Sequence, residues 1–190
     1  MPLKPSFGQH PGHPTLPTEL YHDPRWYACR TRARAEKQVD ARLEGQGFET
    51  YIPLVEEERQ WADRKKRVVL PMFPGYTFAR FALKDHREVL KVPGVVHVVS
   101  SKGAPAPIRA EELDSVRRFA QGVQETGRVP DPVDYLVPGT PIEVREGPFQ
   151  GMRGVLVEGR GRARVAVRLS AIRAAVSVEL DRRVLRPLRQ

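Results

Sequence analysis

The sequence predicts an α+β protein of two units: an N-terminal antiparallel sheet with helices packed on it, a flexible linker and a small C-terminal β-barrel. Three observations predict it. Short apolar-rich strands alternate with amphipathic helical stretches as far as Val123. Prolines and glycines then interrupt the pattern between Gln124 and Pro138. Beyond that point only short, evenly spaced β-branched runs remain.

The elements follow in order. Residues 1–24 hold six prolines with His10, His13 and His22 between them and read as a disordered tail. Trp26–Thr31 reads as a strand. Ala33–Gln46 reads as a helix with Ala35, Val39 and Leu43 as its apolar stripe, and Gly45 and Gly47 end it. Phe48–Pro53 is a second strand. Glu56–Leu70 is a long hairpin with Arg64, Lys65, Lys66 and Arg67 at its tip, where four neighbouring cations are tolerated only under water or a polyanion. Lys84–Val92 and Glu111–Val123 are helices, and Val95–Val99, with a structural His97 inside it, is a central strand. The expected order is β-α-β-β-β-α-β-α, with units at 25–123 and 138–190 and a linker at 124–137. In the second unit Ile142–Val144, Arg153–Val157, Arg164–Leu169 and Val176–Leu180 are strands.

The densest aromatic stretch lies between Pro71 and Phe81, with four rings in nine positions. Strand alternation places Tyr76, Phe78 and Arg80 on one face and Thr77, Ala79 and Phe81 on the other. A sheet with helices on one side cannot hide both sets. One set is expected to be presented as a binding surface; the alternative is a strand buried on both faces.

Composition bounds the function. The net charge of +9 over 190 residues points to polyanions. One cysteine, Cys29, permits no internal disulfide and fits a reducing compartment. No apolar run is long enough to span a bilayer, and no signal peptide is evident. The histidine spacing matches no metal site. No nucleophile–base pair, carboxylate pair or phosphate loop appears, so neither catalysis nor a cofactor is expected.

Trp26-Tyr27, Phe73-Pro74-Gly75-Tyr76 and Pro105-Ala106-Pro107-Ile108 together resemble the N-terminal (NGN, ferredoxin/RRM-like) domain of the NusG/RfaH family of transcription elongation factors. Gly139, Val144–Val155 and Val178–Asp181 resemble that family's KOW domain, an SH3-like barrel. The resemblance covers about residues 25–188. It implies a cytoplasmic bacterial factor, monomeric, that binds the clamp helices of the largest catalytic RNA polymerase subunit. It implies that the factor bridges the cleft and suppresses pausing and termination. Trp26, Tyr27, Phe73, Tyr76 and Phe78 match the clamp-binding positions. His86 and Arg87 fall where relatives meet the opposite pincer, the gate loop. Arg30, Arg32, Arg34 and Arg42 fall where specialised relatives meet non-template DNA, and Arg64, Lys65, Lys66 and Arg67 could reach upstream duplex. Ile172 and Arg173 fall in the KOW partner loop. Ile172 replaces an aromatic residue of the general factor, which argues against Rho recruitment and leaves ribosomal protein S10 as the expected partner. The dense aromatics favour a specialised antiterminator over a general factor assisting Rho. A KOW-bearing ribosomal or RNA-binding protein is the third reading. Gly147, Pro148, Gly151, Gly154, Gly159 and Gly161 oppose helix, so the second unit is expected to be a constitutive barrel rather than a stored helical hairpin.

Overall fold

The computed structural model describes residues 21–60, 65–158 and 163–188. Residues 1–20 of the proline-rich tail, Arg64 of the cationic tip, and Gly159 and Gly161 lie outside the described residues. The N-terminal unit comprises β1 (Arg25–Thr31), α1 (Glu36–Gly45), β2 (Glu49–Tyr51), β3 (Leu54–Gln60), β4 (Lys65–Pro71), β5 (Tyr76–Phe81), α2 (His86–Lys91), β6 (Val95–Val98), the two-residue strands β7 (Ser100–Ser101), β8 (Ala104–Pro105) and β9 (Pro107–Ile108), and α3 (Ala110–Thr126). The C-terminal unit comprises β10 (Asp131–Val133), β11 (Thr140–Val144), β12 (Arg153–Glu158), β13 (Ala163–Leu169), β14 (Ala174–Leu180) and β15 (Leu185–Pro187).

The main N-terminal sheet runs β2-β5-β1-β6, antiparallel, with β9 also on β1. β3 and β4 form a separate two-stranded ribbon. Alternation along β1 and β5 divides the apolar residues into two sets. Tyr27, Cys29, Ala79 and Phe81 pack with Val39 and Leu43 of α1 and Val89 of α2. Ala28 and Phe78 point the other way and pack with Leu113, Val116, Phe119 and Val123 of α3. The second cluster does not stop at the N-terminal unit. It continues into Ile142, Val144, Phe149, Met152, Val165, Val167 and Leu169 of the C-terminal unit.

The C-terminal unit is a six-stranded antiparallel sheet in the order β10-β14-β13-β12-β11-β15. Among the described residues of that sheet the only helical turns are three-residue 3₁₀ segments, at Ser170–Ile172 and Arg182–Val184. The strand-rich form expected from its glycines is therefore the form present.

Three expectations need correction. Val95–Val98 is an edge strand, and His97 is exposed rather than enclosed. The helix expected to stop at Val123 runs on to Thr126, where Gly127 (φ +64°) ends it in the left-handed region. The stretch 124–137 is not wholly linker, because Asp131–Val133 pairs with β14. Pro132 does not prevent this pairing, since β10 is an edge strand.

Candidate functional site

The aromatic stretch turns through Phe73-Pro74-Gly75 before β5 begins. Gly75 sits at φ +82°, a region that favours glycine. A Cβ there would lie 2.5 Å from Nη1 of Arg30. Two groups hold this turn. The Gly75 amide donates to Glu36 Oε1 at 2.6 Å, in a buried setting, and Thr31 N donates to Gly75 O at 2.9 Å. Glu36 opens α1, where the helix dipole favours its negative charge. The Arg30 guanidinium lies 4.8 Å from the Tyr76 ring centroid, over its face. One turn further along α1, Asp40 Oδ1 accepts from Thr77 Oγ1 at 3.0 Å. Burial raises the Asp40 pKa above the ordinary carboxylate value, although the Thr77 and Thr50 hydroxyls lower it.

The expectation of an uncovered aromatic face is not met. Phe73 is 4% and Phe78 0% exposed, because α3 and the C-terminal unit lie on that face. Tyr76 and Trp26 are half-buried. Tyr27 does not belong to the surface at all: it is 0% exposed on the opposite face, 4.7 Å from Phe81 between ring centroids. Arg117 of α3 stacks over both Trp26 (5.0 Å) and Tyr51 (5.2 Å). A small half-open pocket of about 170 Å³ lies where Phe73, Pro74 and Tyr76 face Pro132, Ala175 and Val176. The aromatic turn therefore lies at the seam between the two units.

That seam has an apolar and a polar part. Phe149 packs edge-on against Phe119 at 6.1 Å and against Gly122, where a Cβ would lie 2.5 Å from its ring. Glu112 of α3 accepts from Ser170 Oγ (2.6 Å) and Ser170 N (3.2 Å) and pairs with Arg109 at 2.9 Å. Tyr135 Oη donates to Ser170 Oγ at 3.1 Å. Arg153 N donates to Ser115 Oγ (3.3 Å), and Arg118 Nη1 to Gln150 O (3.1 Å). A cleft of about 730 Å³ runs beside Glu112, Ser115, Tyr135 and Ser170, so much of the polar part borders open space.

The other expected site residues scatter. Arg30 serves the aromatic turn. Arg32 and Arg34 are exposed, and Arg42 Nη1 donates to Pro93 O at 2.6 Å. Lys65, Lys66 and Arg67 are exposed along β4, with Lys65 3.5 Å from Glu58. His86 stacks on Phe81 at 6.5 Å, and burial lowers its pKa; Arg87 is exposed. Ile172 is half-buried against the shared core, in a 3₁₀ turn that touches β1 and β9. Arg173 beside it is exposed at φ +50°. Among the described residues no group of three or more His, Cys, Asp or Glu side chains could hold a metal ion. No described helix is long and apolar enough to cross a membrane.

Sequence reasoning missed Glu36, Gly122 and the Glu112–Ser170 contact. Glu36 had a signal: with Val39 and Leu43 it stands at i, i+3 and i+7 on the buried side of α1. A buried acid at a helix start must serve a donor elsewhere. The other two depend on the second unit's position, which no local pattern carries.

Comparison with known proteins places residues 24–117 under the family model described as transcription termination factor NusG. The chain is 29% identical to the transcription termination/antitermination protein NusG of Pasteurella multocida over 181 residues, covering 86% of this chain and 95% of that one. It is 27% identical to its counterpart in Escherichia coli K12 over 172 residues, covering 83% and 92%. A solved structure titled "Domain interaction in Thermotoga maritima NusG" matches 87% of this chain and 98% of that one, at 25% identity and a TM-score of 0.48.

Proposed function

The chain is a member of the NusG family of transcription termination/antitermination factors, and from that premise we propose that it grips RNA polymerase with the Trp26–Phe73–Tyr76 side of its N-terminal sheet once its two units have parted. Members of this family are transcription factors, not enzymes. The occupant of that face is the clamp-helix pair of the largest catalytic subunit. Bridging the cleft from there disfavours the swivelled, paused state, so elongation is sustained by differential binding rather than chemistry.

One observation carries the reading. The aromatic turn is covered by a second unit that meets it across a seam bordered by solvent on both sides, at a half-open apolar pocket and along a polar cleft. A seam that water reaches from its edges is easier to part than an enclosed core. A removable cover leaves such features, and removing it exposes Phe73 and Tyr76 together. Phe78 then supports the turn from beneath, with its ring 6.2 Å from that of Phe73. Arg32 and Arg34, and the β4 cations Lys65, Lys66 and Arg67, supply phosphate contacts to non-template or upstream DNA. His86 and Arg87 face the opposite pincer. Ile172 and Arg173, freed from β1 and β9, recruit ribosomal protein S10.

The specialised antiterminator is the first reading. The names of its relatives favour a second, a general factor. Elongation in vitro on a pausing template, with and without Rho, separates them. Shortened pauses without added Rho dependence support the antiterminator; enhanced Rho termination supports the general factor. Polymerase capture by Tyr76→Ala tests the face itself, because Tyr76 is half-buried and its ring is not part of the fully enclosed core. Undiminished capture would refute it.

A further inference from the structure

Residues 128–138 join the two units, and they are fastened at both ends. Gly127 closes α3 in the left-handed region. Gly139 is pinned against β12, where a side chain would run into Val155 and the Leu156 carbonyl. The segment's described polar ties to other elements run to the C-terminal unit. Arg128 Nη1 donates to Glu179 O, Tyr135 Oη to Ser170 Oγ, and Arg168 Nη2 to Val137 O. At the centre lies β10, whose Asp131, Pro132 and Val133 stand opposite Ser177, Val176 and Ala175. Antiparallel partners alternate between bonded and non-bonded pairs, and Pro132 has no N–H to give. The bonded pairs are therefore Asp131 with Ser177 and Val133 with Ala175. Ser177 Oγ adds a bond to Asp131 O at 3.3 Å, and Arg164 Nη2 lies 3.6 Å from Asp131 Oδ2.

This pairing is short and open to water. β13 meets β14 over seven residues, whereas β10 meets it over three. Asp131 and Pro132 are exposed and Val133 is half-buried, and none of the three belongs to the buried core. The Arg164–Asp131 pair is exposed on both sides, where solvent screens it. Release of β10 therefore leaves the order β14-β13-β12-β11-β15 and its core intact. Pro132 also lines the half-open pocket against Phe73, Pro74 and Tyr76, so β10 loses a neighbour when the units part. Its state decides how far they can then move. While β10 is paired, only Arg128, Val129 and Pro130 lie between α3's end at Gly127 and the C-terminal sheet, and the four steps from Gly127 to Asp131 span at most about 14 Å. With β10 released, the twelve steps from Gly127 to Gly139 span up to about 43 Å.

We propose that Asp131–Val133 is a releasable strap that sets how far the C-terminal unit travels once the seam has parted. Paired to β14, it keeps that unit on a short hinge at Gly127–Pro130. Released, it turns residues 128–138 into a tether about three times as long. Opening then has two stages, the seam first and the strap second. The inference rests on the parting of the units proposed above, but not on what either unit binds.

Hydrogen exchange of the full chain reads the two stages separately. The Ser170 and Arg153 amides donate across the seam, to Glu112 and Ser115, while the Val133 amide belongs to the strap. Gly122→Ala, which presses a methyl onto Phe149, should speed exchange about fivefold or more at Ser170 and Arg153 and less than about twofold at Val133. Small-angle scattering in the same background measures reach. Val133→Cys/Ala175→Cys places a disulfide across a bonded pair, whose Cα spacing of about 5.5 Å suits one. Cys29 is 0% exposed and does not compete. Asp131→Gly/Val133→Gly removes the strap, and its maximum dimension should exceed that of the oxidised lock by up to about 29 Å, the difference between the two spans. Equal acceleration at Val133, Ser170 and Arg153 would show that one event undoes both strap and seam, and would overturn the proposal. So would equal dimensions for the locked and strap-free forms. Unchanged exchange at Ser170 and Arg153 would instead refute the parting itself, and the strap with it.

Discussion

Gly122→Ala separates the stability of the N-terminal unit from the docking of its partner. Gly122 lies inside α3, where glycine costs about 1 kcal/mol relative to alanine. In an undocked protein the substitution should therefore stabilise the helix by about that amount. In the docked protein the new methyl would lie 2.5, 2.6 and 2.8 Å from Cδ1, Cε1 and Cγ of Phe149. Ordinary carbon contacts begin near 3.5 Å, so the ring or its whole unit must retreat by roughly 1 Å. Overpacking of this kind costs about 1–3 kcal/mol. Because Phe149 meets Gly122 only across the seam, that cost falls on docking and shifts the closed-to-open ratio about 5- to 150-fold. Hydrogen exchange should show lost protection at Ser170 and at the Phe73–Tyr76 turn, and small-angle scattering a larger radius of gyration. Adding Phe149→Leu, which removes the ring, should restore part of the docking. A variant of higher Tm with unchanged protection at Ser170 would refute the reasoning, since the ring would then have moved aside without cost.

Three further outcomes are expected. Glu112→Ala removes two hydrogen bonds to Ser170 and an ion pair from a side chain that is 17% exposed. Charge-assisted bonds contribute about 1.5–3 kcal/mol each, discounted here because the cleft admits water; domain opening should rise at least tenfold in the same exchange experiment, and a change confined to Tm without opening would contradict it. Asp40 has a folded pKa raised by burial, so its contribution to stability is fully present below the ordinary aspartate value and is lost as pH rises through the raised one; Asp40→Asn should raise Tm at pH 7 and match wild type below about pH 4, and a loss at pH 7 would show that the charge is needed. Cys29 is 0% exposed with its pKa pushed up to about 12, so its thiol should resist thiol reagents until the sheet unfolds; rapid native labelling would contradict the packing.

The main elements of the N-terminal unit and of the second unit were legible because each rests on a local pattern. Val39 and Leu43 repeat at helical spacing, and Leu113, Val116, Phe119 and Val123 do the same on α3. The division of Tyr76 and Phe78 from Ala79 and Phe81 followed from strand alternation alone. The cover over Phe78 was not legible. It depends on α3 lying opposite α1 and on the second unit packing there, and both are tertiary choices. His97 misled for the same reason: an apolar run reads as a central strand, but strand order is set by long-range pairing. Arg30 read as one of a row of surface cations. Its role beside Tyr76 came from Gly75, whose missing side chain leaves room for the guanidinium.

The seam also couples two surfaces. On the proposed reading the aromatic turn takes the polymerase and the Ile172–Arg173 turn takes the second partner. The first lies against Pro132, Ala175 and Val176, and the second against β1 and β9. A single separation uncovers both. Each partner then binds only the open fraction, and its apparent affinity is reduced by that fraction. If closure is worth about 3 kcal/mol, the first partner to bind should tighten the second by up to about 150-fold, and by thermodynamic reciprocity the second should tighten the first by the same factor. Gly122→Ala should raise both affinities together and shrink the coupling between them, because the open form is then already populated. If it tightened one partner and left the other unchanged, the two surfaces would be uncovered by different motions, and the shared core running from Phe78 to Phe149 would not act as one hinge-borne cover.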